Sequence, residues 1–254
     1  MTALASDLVV RSLAVTFRSG TTIAEHRHRW GQLVVVARGA MRVTAVSQVW
    51  ITPPTRALWL PAGVPHRLCA VGAEVALRTL YLAEPLSQAL PAQPSVREVS
   101  PLLRELVLHI LSLGMLVGSQ PAQARLAQVL VDLVAQAGAV DLQLPMPADP
   151  RARALADRLL AQPGERVALA ALADNVGASL RTLQRAFARE TGLPIEAWRS
   201  KASLLHAAAL LAEGASVTEA AGDAGWQSLA GFGAAFRQVF GMTPGRYRAR
   251  RDQA

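Results

Sequence analysis

The 254 residues carry 26 Lys or Arg against 18 Asp or Glu, a formal charge of +8, with 52% hydrophobic and 17% charged residues. That balance excludes a disordered chain, and the positive excess favours a polyanionic partner such as nucleic acid. One cysteine, Cys69, excludes an internal disulfide framework; with no leader-like start and no apolar run long enough to span a membrane, a cytoplasmic protein without membrane contact is expected.

From Leu8 to about Tyr81, short Val- and Leu-rich runs are punctuated by Gly and Pro, which predicts compact β-structure. Within it His26 and His28 are two residues apart, so on an extended strand both imidazoles point to one side. His66 closes the turn Pro61-Ala-Gly63-Val-Pro65-His66. Three imidazoles suffice for a divalent transition metal, Zn, Ni, Fe or Cu, with a position left open. The same residues, joined by Trp30, Gln32, Arg56 and Trp59, equally suit a pocket for an organic effector. The run H-x-H-x-W-x-Q-L and the P-A-G-V-P-H turn, within residues 20–82, resemble the two cupin motifs. That resemblance implies a cupin-like β-barrel as an effector-binding domain over residues 1–90. It also implies metal ligands at His26, His28, Gln32 and His66, with Gln32 standing where a carboxylate usually lies.

Between Val96 and Ala139 the spacing turns helical, with Leu102, Leu103, Leu106, Ile110 and Leu113 in one segment and Leu126, Val129, Leu130, Leu133 and Val134 in the next. Pro121 suits the first turn of the second helix. These helices offer more apolar surface than each alone can hide, so packing on the β-domain or on a second subunit is expected, with residues 91–144 forming a helical linker or dimerisation region. His109, here, and His206, further on, sit in apolar helical contexts and read as structural. Three prolines within residues 144–150 mark an interdomain linker. Beyond it, residues 151–254 hold 14 basic and 9 acidic side chains, against 12 and 9 in residues 1–150. All basic side chains but Lys201 are arginine, which suits bidentate contacts to phosphate or guanine, although a GC-rich genome produces the same bias.

A repeat organises this last region. Ala173 and Gly177 match Ala221 and Gly225, while Leu183, Phe187 and Gly192 match Phe232, Phe236 and Gly241. Each half reads as a helix, a glycine turn and a second helix held by two residues four apart on one face. Ser179 suits the N-cap of the first such helix. Arg181, Gln184 and Arg185 point away from the Leu183/Phe187 stripe, toward where guanine and adenine edges can be read. The runs VGASLRTLQRAFARETGLP, AAALLAEGASVTEAAGDAGW and FGAAFRQVFGMTPGRYR resemble the DNA-binding domain of AraC/XylS regulators. The resemblance covers residues 151–251 and implies two helix-turn-helix units joined by a helix from about Ile195 to Ala212. It places Ser179, Arg181, Thr182, Gln184, Arg185, Arg189, Trp226, Gln227 and Ser228 at double-stranded DNA. Ser203 stands where arginine is usual. The second recognition helix is almost devoid of polar side chains, so the first unit is expected to discriminate sequence and the second to fix register.

The expected architecture is thus α+β and multidomain: a cupin-like β-barrel, a helical linker region and an all-α domain with two helix-turn-helix units. The expected function is sequence-specific transcription regulation by a homodimer, under control of a small-molecule or metal effector. Activation and repression both remain open, RNA polymerase is a further partner, and the resembling subgroup includes regulators of neighbouring transporter or efflux genes. The rival class is a cupin-type metal-dependent oxygenase or isomerase with a helical appendage. It lacks an acid/base partner, since Glu25 and Glu74 are the only carboxylates between residues 8 and 83. A metal sensor combines the two readings.

Overall fold

The computed structural model describes residues 7–140 and 142–249, with backbone alone at residues 72 and 73. The described residues form ten strands: β1 (Leu8–Arg18), β2 (Thr22–His26), β3 (Gly31–Ala45), β4 (Gln48–Thr52), β5 (Arg56–Leu60), β6 (His66–Leu82), β7 (Ser95–Glu98), β8 (Met115–Val117), β9 (Ala139–Val140) and β10 (Gln143–Pro145). The helices are α1 (Glu84–Ser87), α2 (Pro101–Leu113), α3 (Pro121–Gln136), α4 (Pro150–Ala161), α5 (Leu169–Asn175), α6 (Leu180–Thr191), α7 (Ile195–Glu213), α8 (Val217–Asp223), α9 (Leu229–Phe240) and α10 (Pro244–Ala249). None is long and apolar enough to cross a membrane. Two compact units result, one from the described residues among 1–46 and 52–141, the other from those among 47–51 and 142–252.

The first unit corrects the expectation of a closed, cupin-like barrel. Its strands follow an open path, β8-β1-β6-β3-β5-β7-β9, with β2 attached to β6. Among the described residues β8 and β9, the ends of the path, do not pair with each other. Closure needs strands of matched length and continuous stagger. Here the end strands have three and two residues, and the β3–β6 ladder slips between Val36 and Arg38 and again between Arg38 and Ala40. The apolar face is covered by helices instead. Leu33, Val35, Trp59, Leu80 and Leu82 of the sheet share one core with Leu103, Leu106, Val107 and Ile110 of α2 and Leu130, Val131 and Val134 of α3. α2 is capped by the Ser100 side chain, which accepts from Leu103 N, and α3 begins at Pro121. The stripe read from sequence is only partly buried, for Leu102 and Leu113 on α2 and Val129 on α3 stay exposed.

In the second unit the repeat takes physical form. α5 and α8 have seven residues each, and α6 and α9 twelve each. The matched glycines have matched backbones: Gly177 and Gly225 turn the chain at φ +66° and +82°, and Gly192 and Gly241 end the second helices at +72° and +71°. Only glycine adopts that region without strain, which is why it recurs. The second turn also lies backbone to backbone against the loop after α4, since a Cβ built on Gly164 would sit 2.0 Å from the carbonyl oxygen of Asp223. The proline-rich segment 144–150 is held at several points. Gln143–Pro145 pairs with β4, Leu144 is fully buried, and the Pro145 carbonyl accepts from Trp198 Nε1 at 2.7 Å. The Glu190 carboxylate accepts from the backbone N–H groups of Ala148 and Asp149.

Candidate nucleic-acid interface and metal-ligand cluster

Helix α6 forms because Ser179 caps it, accepting from Thr182 N, and because Leu183, Ala186 and Phe187 fall on one buried face. Phe187 meets Trp198 of α7 edge to face at 5.7 Å between centroids. The opposite face carries Arg181, Thr182, Gln184, Arg185 and Arg189, all exposed. Arg189 is shared, since it pairs with Glu190, the residue that holds segment 148–149. Arg181, Gln184 and Arg185 therefore form a polar surface able to reach a duplex.

Helix α9 is capped by Ser228, which accepts from Gly231 N, and is anchored by Phe232, Phe236 and Phe240. Phe236 packs against the Tyr247 ring at 5.3 Å. Its outward positions are Leu229, Ala230, Gly231 and Ala234, then Arg237 and Gln238, all exposed. Gln227 and Ser228 are also exposed, whereas Trp226 is half-buried and its single N–H donates to Ser203 Oγ at 2.8 Å. That leaves the indole no donor for a phosphate. Ser203, in turn, donates to the Ala224 carbonyl at 2.8 Å. In place of an arginine it supplies a hydroxyl tying α7 to the second turn. Sequence reading did not single out Arg237, Arg246 and Arg248, which are exposed on α9 and α10. Their signal was the spacing around the buried Phe236 and Tyr247.

In the first unit the structure brings His26, His28 and His66 together, with one ligand nitrogen of each lying within 4.8 Å of the others. Nitrogens held about 2.0–2.1 Å from one ion stand roughly 3–4 Å apart, so modest side-chain rotation completes the approach. β2 and β6 position two of them, because His26 and His66 are register partners. Each ring is turned by its own backbone. Nδ1 of His26 lies 2.9 Å from the Ala24 carbonyl, Nδ1 of His28 2.6 Å from that of Trp30, and Nδ1 of His66 2.8 Å from that of Val64. A carbonyl can only accept, so Nδ1 carries a proton in each ring and Nε2 is the nitrogen left for a ligand. His66 is held neutral, its pKa lowered to about 4 by burial first and by the two neighbouring histidines after that. Its Nε2 is buried without a hydrogen-bond partner.

Gln32 completes the cluster. It is buried, and its amide nitrogen donates to Thr79 Oγ1 at 3.0 Å. Thr79 spends its own proton on the Leu33 carbonyl, so it can only accept from Gln32. Gln32 Oε1 is thereby turned toward His28 Nε2, 3.2 Å away. With a proton on Nε2 that contact is a hydrogen bond to Oε1, and without one both atoms are left to face a cation. Tyr81 flanks the pair, its hydroxyl accepting from Gln32 Nε2 at 3.4 Å and its ring edge-on to His28. Thr79 and Tyr81 were missed in the sequence; the two-residue alternation of β6 was their only signal.

The other expected effector residues are not gathered here. Trp59 belongs to the helix-side core, with its N–H donating to the Pro91 carbonyl. Arg56 is buried against Glu98, with Nη2 3.1 Å from its carboxylate. Trp30 is half-buried beneath the Arg11 guanidinium, 4.8 Å from the ring centroid, and only its carbonyl touches the cluster. A separate cleft is lined by Val35, Pro54, Arg78, Arg104, Val107 and Leu108, among others, and includes none of the seven residues expected around an effector.

Two family models match the chain. Residues 15–163 match the family described as an AraC-like ligand binding domain, and residues 172–250 match the one described as a helix-turn-helix domain. The chain is similar to the HTH-type transcriptional regulator NimR of Escherichia coli (strain K12), 34% identical over 242 residues, which cover 94% of this chain and 88% of that one. It is also similar to the HTH-type transcriptional regulator RipA of Corynebacterium glutamicum, 37% identical over 100 residues, 39% of this chain and 30% of the relative. Among solved structures, a probable AraC family transcriptional regulator from Rhodopseudomonas palustris CGA009 aligns at 29% identity over 40% of this chain and 96% of that one, with a TM-score of 0.37.

Proposed function

The chain belongs to the AraC family of helix-turn-helix transcription regulators, and we propose that its effector is a divalent transition metal held by His26, His28, His66 and Gln32. Membership makes it a DNA-binding regulator and sets aside the enzyme reading. One observation carries the metal proposal: three imidazoles whose Nδ1 atoms are tied to backbone carbonyls have a ligand nitrogen each within 4.8 Å of the others, with Gln32 Oε1 oriented beside them by Thr79. Neutral nitrogen donors suit Zn, Ni, Fe or Cu rather than Mg or Ca. At the other end of the chain, α6 reads bases through Arg181, Gln184 and Arg185, while α9 sets register through Gln227 and Ser228 at its entrance. Exposed Leu102 and Leu113 on α2 and Val129 on α3 support a homodimer through residues 91–144. Two copies of the paired motif would then share one operator and gain avidity.

The test is metal analysis of the purified, dialysed protein together with DNA binding by fluorescence anisotropy on its own promoter region. Retention of one equivalent of metal, lost in His66→Ala, with a severalfold change in DNA affinity on metal removal, is the expected result. Full DNA response without metal, or metal retained equally by His66→Ala, refutes the assignment.

A further inference from the structure

We infer that the metal at this cluster takes a small oxyanion as co-ligand, so that the effector is a metal and anion pair rather than a bare ion. The inference rests on the metal reading above and concerns what that metal must bind. The donor set is uncharged: three imidazoles and an amide oxygen, with no carboxylate joining the cluster among the described residues. Glu25, next to His26 on β2, is exposed and does not join the clustered ligands. A dication there keeps its whole charge. His66 is buried and His26 and His28 are half-buried, so water only partly screens that charge, and an uncompensated ion in such surroundings is costly. An anion bound directly to the metal reduces the imbalance.

Three features provide for it. Four protein donors leave at least one coordination position open for a metal that takes five or six ligands. Tyr81 supplies a hydrogen-bond donor: its oxygen already accepts from Gln32 Nε2, and among the described residues its own proton is not spent on another acceptor. The ligands are also interleaved with arginines, for Arg27, Arg29 and Arg67 adjoin His26, His28 and His66 in sequence and are exposed. Positive charge around the approach draws anions in. A carboxylate of an organic acid and an inorganic oxyanion share this chemistry.

The experiment loads the full-length protein with Co(II) alone and follows its visible d–d bands while acetate, oxalate or sulfate is added. A saturable band shift, with tighter Co(II) retention in the presence of the same anion, is expected, and Tyr81→Phe weakens the anion by about tenfold beyond any change in Co(II) affinity itself. A response to acetate or oxalate alone identifies an organic acid, and a response to sulfate alone an inorganic oxyanion. If Co(II) binds, His66→Ala abolishes it, and no anion alters spectrum or affinity, the co-ligand inference falls while the metal reading stands. If the wild-type protein takes up no Co(II), both fall.

Discussion

Replacing Ser203 by alanine isolates the contact that stands in for the usual arginine. Ser203 is 5% exposed, and its hydroxyl accepts from Trp226 Nε1 and donates to the Ala224 carbonyl, each at 2.8 Å. Alanine removes both partners and leaves a buried carbonyl and a half-buried indole N–H without bonds. At about 1–3 kcal/mol for each group left unsatisfied, and with water reaching the indole side, the cost is about 2–4 kcal/mol. That is a large fraction of the roughly 5–15 kcal/mol that keeps a domain folded. It falls on one place, because Trp226 also packs on Phe232, 5.9 Å between centroids, at the start of α9. Urea denaturation of wild type, Ser203→Ala, Trp226→Phe and the double variant measures the effect. The cycle should give a coupling of about 0.5–3 kcal/mol, with weaker DNA binding in both single variants. A Ser203→Ala change within about 0.5 kcal/mol of wild type, or strict additivity with Trp226→Phe, refutes the role assigned to this hydroxyl.

Two glycines at the same turn, Gly164 packed against it and Gly222 just before it, should respond in opposite directions. Gly164→Ala places a methyl 2.0 Å from the Asp223 carbonyl oxygen, where backbone must shift, so a loss of about 1–3 kcal/mol is expected, read as a lower Tm with weakened DNA binding. Gly222→Ala in α8 meets nothing within 4 Å and should raise stability by about 0.5–1 kcal/mol; equal behaviour of the pair would refute the close backbone approach. Arg185→Ala should cost about 1–3 kcal/mol at its preferred base pair and relax specificity there, while Ala230→Ser leaves sequence preference unchanged. Binding selections on a randomised operator read both, and uniform weakening by Arg185→Ala would reverse the proposed division between α6 and α9.

The repeated helices were legible because their signals are local. Glycine at the turn, glycine at the helix end and two large residues four apart act within a dozen residues, and the structure returns equal helix lengths in both copies. Trp226 shows the limit of that reading. Its place beside a recognition helix suggested phosphate, but what decides its role is Ser203, across a helix and 23 residues earlier. The barrel failed for a related reason. Strand runs and a histidine pattern specify local extension, whereas closure depends on how strands of unequal length pair, and β8 and β9 are too short to meet. Leu33, Val35 and Trp59 find their cover in α2 and α3, which is one of the two packings that the surplus apolar surface of those helices had offered.

The histidine cluster survives that failure because its geometry never depended on closure. His26 and His66 are brought together by pairing of β2 with β6, and Gln32 faces Tyr81 through pairing of β3 with the same strand. β6 carries His66 and pairs both with β2, which carries His26, and with β3, which carries Gln32, so a single long strand does what a closed barrel was expected to do. His28 lies between strands, oriented by the carbonyl of Trp30, so its Nε2 is set by a turn and not by a ladder. The amide of Gln32 is the part that sequence could least reveal, because its direction is decided by a threonine hydroxyl that has already given its proton to Leu33. A carboxylate at this position would offset half the charge of a bound dication. Glutamine fixes the geometry and leaves the charge, and that residual charge is what makes an anion part of the site's chemistry.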